Sequence, residues 1–157
     1  MVVKDVIFED FINYQHPSMF IIFPKCSFKC DKENGTRVCQ NWSLVHEPDF
    51  DISIKNLINK YISNNITSAI VCGGLEPMDS FNDVLELLLE LRKYSDDDFV
   101  IYTGYNREEI LDKIVILSQY KNVIIKFGRY RNGNTPHLDE VLGIHLASDN
   151  QYAERIS

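Results

Sequence analysis

The chain has 157 residues, 45% hydrophobic and 25% charged, with 16 Lys plus Arg against 23 Asp plus Glu for a formal net charge of −7. This composition fits one globular domain spanning residues 1–157 and excludes a disordered tail, a collagen-like repeat and a disulfide-stapled mini-protein. The acidic balance argues against a nucleic-acid partner, no apolar run approaches the roughly 20 residues of a membrane helix, and Asp5, Glu9 and Asp10 are foreign to a signal peptide. The expected compartment is a reducing cytoplasm, where four cysteines read as metal ligands or core residues before disulfides.

Ser18 to Phe23 is a β-rich apolar run stopped by Pro24, which predicts a strand. From Lys25 to about Pro48 the chain is polar and without periodicity, and it carries Cys26, Cys30 and Cys39; a stretch of this kind inside a compact domain is usually functional. Ile54, Leu57, Ile58, Tyr61 and Ile62 recur at helical spacing behind Asp51 or Ser53 as the cap. Ala69 to Cys72 predicts a second, buried strand, ended by Gly73-Gly74-Leu75-Glu76-Pro77. A helix then runs from Asp79 or Ser80 through Tyr94, with Val84, Leu87, Leu88 and Leu91 on one face.

The acidic run Asp96 to Asp98, read as a solvated turn, leads into a third strand, Phe99 to Tyr102, closed by Thr103-Gly104. Asn106 and Glu109 form a capping box for a helix to about Ser118. Val123 to Phe127 is a fourth strand, Gly128 to Glu140 reads as loop, and Ile144 to Ala147 is a short fifth strand candidate. Strands alternating with helices imply βα units and a mainly parallel sheet. Too few for an eight-stranded barrel, they are expected to form an open partial (β/α) barrel with its chemistry at the carboxyl ends of the strands.

Three thiols on one loop after the first strand leave three readings open. A structural zinc site would be completed by His46 or Cys72. A [4Fe-4S] cluster with one open iron would need only Cys26, Cys30 and Cys39. Unrelated surface thiols are the third. Cys72 ends an apolar run, where a small buried thiol is the common state. His16, His46, His137 and His145 have no ligand spacing among themselves and read as surface or loop residues.

Cys26-x3-Cys30 after the first strand, a third cysteine, and Gly73-Gly74-x-Glu76-Pro77 after the second resemble the radical S-adenosylmethionine enzymes. Cys39-Gln40-Asn41, Tyr102-Thr103-Gly104-Tyr105, Lys126-Phe127-Gly128-Arg129-Tyr130 and Leu146-Ala147-Ser148-Asp149-Asn150-Gln151 are similar to segments of the activating proteins of anaerobic ribonucleotide reductases. The resemblance covers nearly the whole chain. One feature departs from it: the usual C-x3-C-x2-C loop has here eight residues, Asp31 to Val38, before Cys39, and Asp31 to Gly35 are expected to bulge outwards as an extra loop.

The resemblance implies a [4Fe-4S] cluster held by Cys26, Cys30 and Cys39, with S-adenosylmethionine on the fourth iron. It implies cofactor contacts from Val38, Gln40, Gly73, Gly74, Glu76, Thr103 and Lys126, of which Glu76 either meets the methionine ammonium or buttresses the turn. The reaction it implies is reductive cleavage of S-adenosylmethionine and hydrogen abstraction from a glycine of the class III reductase large subunit, with a flavodoxin or ferredoxin as electron donor. Two other readings stand beside it: a radical enzyme acting on a small molecule, and a zinc-stabilised adaptor without catalysis.

Overall fold

The computed structural model of the chain describes residues 1–157. The elements run β1 (Val2–Val3), β2 (Asp5–Asp10), β3 (Ser18–Phe23), α1 (Lys29–Asn34), β4 (Phe50–Asp51), α2 (Ile54–Ile62), β5 (Ala69–Gly74), α3 (Phe81–Leu91), β6 (Asp98–Tyr102), α4 (Leu111–Leu117), β7 (Val123–Phe127), β8 (His137–Asp139), β9 (Ile144–Leu146) and β10 (Tyr152–Arg155). Six strands make one mixed sheet in the order β10-β7-β6-β5-β3-β2. The inner four, β3, β5, β6 and β7, are parallel, and the edge strands β2 and β10 are antiparallel to their neighbours.

Side chains alternate across the pleat, so each inner strand feeds two cores. Ile21, Cys72, Ile101 and Ile125 stand in register across the sheet and all belong to the larger core, beneath the helices. The next row, Phe20, Val71, Val100 and Ile124, faces the other way. There it meets Tyr14, Leu142 and Leu146, carried by the segment before β3 and by the antiparallel β8–β9 pair. Strands buried on both faces read as the continuous apolar runs seen in the sequence.

The helices α2, α3 and α4 each present one stripe to the sheet, whereas α1 buries no residue. α2 buries Ile54, Leu57, Ile58 and Tyr61, and the Ser53 hydroxyl accepts the Asn56 N–H at 3.3 Å at its start. α3 buries Val84, Leu87, Leu88 and Leu91, each contributing on the order of 2 kcal/mol by removal from water. A 3-10 turn over Pro77–Ser80 precedes α3, and another over Arg107–Ile110 precedes α4. At the second turn the Glu109 carboxylate accepts the Asn106 N–H at 2.8 Å.

The structure adds elements that the sequence pattern did not announce. β2 and β10 are largely exposed edge strands: β2 carries only the short run Val6-Ile7-Phe8, with Ile7 and Phe8 exposed, and β10 none longer than Tyr152-Ala153. Within the polar stretch read as loop, His137–Asp139 pairs with β9. The acidic run at the amino end of β6 is tied down rather than simply solvated: Asp97 accepts the Tyr61 hydroxyl at 2.7 Å, Asp98 the Tyr14 hydroxyl at 2.7 Å, and Asp96 pairs with Lys121. No helix is long and apolar enough to cross a membrane.

Candidate metal centre

The cysteine loop leaves the carboxyl end of β3 and is pinned from two sides. Asp79, in the turn before α3, accepts the Ser27 N–H at 2.7 Å and the Tyr105 hydroxyl at 2.6 Å. Phe28 takes a left-handed conformation, φ 53, rare for a large side chain and a mark of a constrained position. That bend aims its own N–H at the Cys26 sulfur, 3.2 Å away, and lays its ring against Trp42 at 5.2 Å. Arg37 stacks on the other ring partner's face, 3.8 Å from the Trp42 centroid.

The eight-residue gap between Cys30 and Cys39 is exposed from Lys32 to Arg37, but it starts as a helix rather than as a loop. Lys29 to Asn34 form the short helix α1, so Cys30 and Asp31 lie within a helical turn. The Asp31 carboxylate then accepts the backbone N–H groups of Val38 and Cys39 at 2.8 and 2.9 Å. Glu33 of the same helix reaches Arg129 at 3.2 Å, and Arg129 in turn holds Glu109 at 2.6 Å.

Cys26, Cys30 and Cys39 line one cavity of about 510 Å³ at the carboxyl ends of the parallel strands. Gln40, Gly74, Glu76, Thr103 and Lys126 share its lining. Val38 and Gly73 do not: the Val38 N–H is taken by Asp31, and Gly73 sits where a Cβ would lie 2.7 Å from the Phe20 ring. Gly74 must be glycine, with φ 86 and a Cβ position only 2.6 Å from Ile22 Cγ2. Its carbonyl accepts the Asn41 side-chain amide at 2.7 Å, which fastens the end of the cysteine loop to the end of β5.

Glu76 is buried and buttresses the site. Its carboxylate accepts the Thr103 hydroxyl at 2.7 Å, the Gly104 N–H at 2.8 Å and the Met78 N–H at 3.0 Å, so one side chain joins the ends of β5 and β6. Burial pushes its carboxyl up to about 7 although all three donors pull the other way. Lys126, at the end of β7, donates to the Gly128 carbonyl at 3.0 Å. Burial lowers its ammonium to about 8, opposed by the charges of Glu76 and Cys30.

The terminal Asn150 and Gln151 now have a physical role. Asn150 donates to the Arg129 carbonyl at 2.8 Å, and Gln151 to the Gly128 carbonyl at 3.2 Å. They secure the turn that follows β7. Gly128, φ 100, leaves only 2.9 Å between a would-be Cβ and the Asn150 carbonyl oxygen.

The three thiols are not set up for free reactivity, which needs an accessible thiolate. Burial pushes Cys26 up to about 12 and raises Cys30 and Cys39. Against that, the Phe28 N–H donates to the Cys26 sulfur at 3.2 Å, and the backbone N–H groups of Tyr130 and Asn41 pull Cys30 and Cys39 down. Such N–H groups stabilise thiolate charge and are among the means by which proteins tune iron–sulfur clusters. Metal uptake here must therefore displace protons.

The same positions weigh against zinc. A single zinc ion needs four donors within about 2.3 Å of one point. Cys72 is fully buried in the row facing the helices, and His46 packs against Trp42 at 6.1 Å, so neither candidate fourth ligand enters the cavity. His145 does line it, from the exposed face of β9. Of the residues that set the loop's path, Asn41, Tyr105 and Arg129 lie inside the motifs quoted above, whereas Asp31 and Asp79 carried no sequence signal for this role.

A donor set of three thiols in a shared cavity fits an iron–sulfur cluster, and the family comparison agrees. The model of the 4Fe-4S single cluster domain family matches residues 18–148, from the first residue of β3 past the end of β9, and the chain belongs to that family. No curated protein and no solved structure matches the chain.

Proposed function

We propose that this iron–sulfur domain is a radical S-adenosylmethionine activase, which cleaves S-adenosylmethionine reductively at its [4Fe-4S] cluster and generates the glycyl radical of an anaerobic (class III) ribonucleotide reductase. The observation that carries the reading is the cavity itself, where three thiols from one loop meet the carboxyl ends of four parallel strands. On this reading the open sheet is the partial (β/α) barrel of that superfamily. Bound there, the cluster would supply one electron and S-adenosylmethionine the carbon–sulfur bond it breaks.

The chain's own residues would do the holding. Cys26, Cys30 and Cys39 would take three irons and leave one for the cofactor. Lys126 is the buried cation on the cavity wall and would neutralise the cofactor carboxylate. The backbone at Gly74, with Gln40 and Thr103, would border the rest, while Gly73 lets the strand pass the Phe20 ring and Val38 contributes by shaping the loop. Glu76, with three protein donors already on its oxygens, acts as the buttress that keeps Thr103 and Gly104 in place. The electron would come from a flavodoxin or ferredoxin.

The test is anaerobic reconstitution, reduction with dithionite or a flavodoxin, and addition of S-adenosylmethionine with a class III reductase. Methionine and 5′-deoxyadenosine, together with a glycyl radical doublet on the reductase in the EPR spectrum, are expected. Cofactor cleavage with no doublet moves the reading to a radical enzyme acting on a small molecule. About one zinc per chain and no sulfide moves it to the zinc-held adaptor.

A further inference from the structure

The helix α1 and the turn after it are an addition to the cluster loop that performs a task of its own. Asp31 follows Cys30 directly, and its side chain crosses the gap to the backbone of Val38 and Cys39. The eight residues Asp31 to Val38 are thereby closed into a ring whose two ends are adjacent in space. Asp31 is half-buried and makes no ion pair, so its charge is met by those two N–H groups. The rest of the ring is anchored separately: Asn34 donates to the Cys30 carbonyl at 2.8 Å, and Glu33 lies against the buried Arg129.

We infer that Asp31 is a positioning residue for the cluster, its carboxylate holding the Val38 and Cys39 N–H groups so that Cys39 presents its sulfur beside Cys26 and Cys30 despite the long gap. The reach of two N–H bonds replaces the short spacing that would otherwise set the third cysteine. The same carboxylate places a negative charge next to the Cys39 sulfur, which makes addition of an electron to a cluster there harder. Holding the loop and setting the charge are separable, because asparagine keeps an acceptor oxygen and loses the charge. The inference rests on Cys26, Cys30 and Cys39 being the cluster ligands.

The experiment compares wild type, Asp31→Asn and Asp31→Ala after anaerobic reconstitution. It reads iron and sulfide per chain, retention against a chelator, and the midpoint potential of the cluster by EPR-monitored titration. Circular dichroism of each variant checks the fold. Asp31→Asn is expected to load as wild type does, with a more positive midpoint potential. Asp31→Ala is expected to hold iron roughly 10–100-fold more weakly, as for loss of other groups that orient metal ligands. Wild-type retention and potential in Asp31→Ala would overturn the inference. So would Asp31→Asn losing iron as Asp31→Ala does, or keeping the wild-type potential. A wild-type chain that takes up no iron would instead overturn the ligand assignment beneath it.

Discussion

Thr103 Oγ1 donates to Glu76 Oε1 at 2.7 Å, and this bond links the ends of two neighbouring parallel strands beneath the metal cavity. Glu76→Ala leaves that hydroxyl and two backbone N–H groups without their acceptor. The expected loss is about 3 kcal/mol in urea unfolding of the cluster-free chain. Thr103→Val removes that donor and also the acceptor of the Tyr105 N–H at 3.0 Å, and should cost about 2 kcal/mol.

The same carboxyl has a sign in pH. Burial raises Glu76 from 4.5 to about 7, so the folded chain binds this proton more tightly than the unfolded one. Its contribution is fully present below pH 4.5 and is lost as pH rises through about 7. Glu76→Gln cannot titrate, and its unfolding free energy should lack that decline when followed by denaturant titration across the interval.

Glu109 runs the opposite way. Arg129, helped by the Asn106 N–H and Lys29, holds its carboxyl at about 2. Here the unfolded chain binds the proton more tightly, so stability is present above pH 4.5 and lost as pH falls towards about 2. Acid unfolding of Glu109→Gln should show a shallower dependence over that range than wild type. An unchanged slope would mean that the Arg129 contact contributes nothing in solution.

Reconstituted Cys26→Ala, Cys30→Ala and Cys39→Ala should each lose the visible iron–sulfur absorbance. Cys72→Ala should retain it, since Cys72 packs between Ile21 and Ile101 on the helix side of the sheet. Its penalty is a small core cavity, on the order of 1 kcal/mol. Iron and sulfide analysis beside thermal unfolding separates the two classes.

Gly74→Ala forces a Cβ to 2.6 Å from Ile22 Cγ2 at a φ of 86. A loss of roughly 2 kcal/mol or more is expected, from strain and from the close contact together. Because Asn41 grips the Gly74 carbonyl, the variant should also bind iron more weakly, whereas Asn41→Ala should weaken iron retention with little change in global stability.

The inner strands were legible because they are buried on both faces and so are apolar without interruption; Ser18 to Phe23 and Val123 to Phe127 have the expected bounds. The strand predicted as Ala69 to Cys72 runs on through Gly73 and Gly74, residues that normally argue against a strand but here allow the backbone to pass Phe20 and Ile22. The edge strands were hidden because half their side chains face water. In the candidate site, the cysteines and the Gly-Gly-Leu-Glu-Pro turn stood out by residue type. Asp31 and Asp79 did not, because their work is done over distances in the chain that no local pattern encodes: Asp31 acts seven and eight residues away, and Asp79 acts 52 residues away on Ser27.

The cavity takes its walls from Asn13 near one end of the chain to Gln151 near the other, by way of the ends of β3, β5, β6 and β7. Occupancy and folding are therefore linked equilibria. A group bound there favours only those molecules in which every contributing segment is docked, and its binding free energy is added to the stability of all of them together. Opening at either edge of the sheet should accordingly become rarer once the cavity is filled, and amide hydrogens far from any cysteine should exchange more slowly.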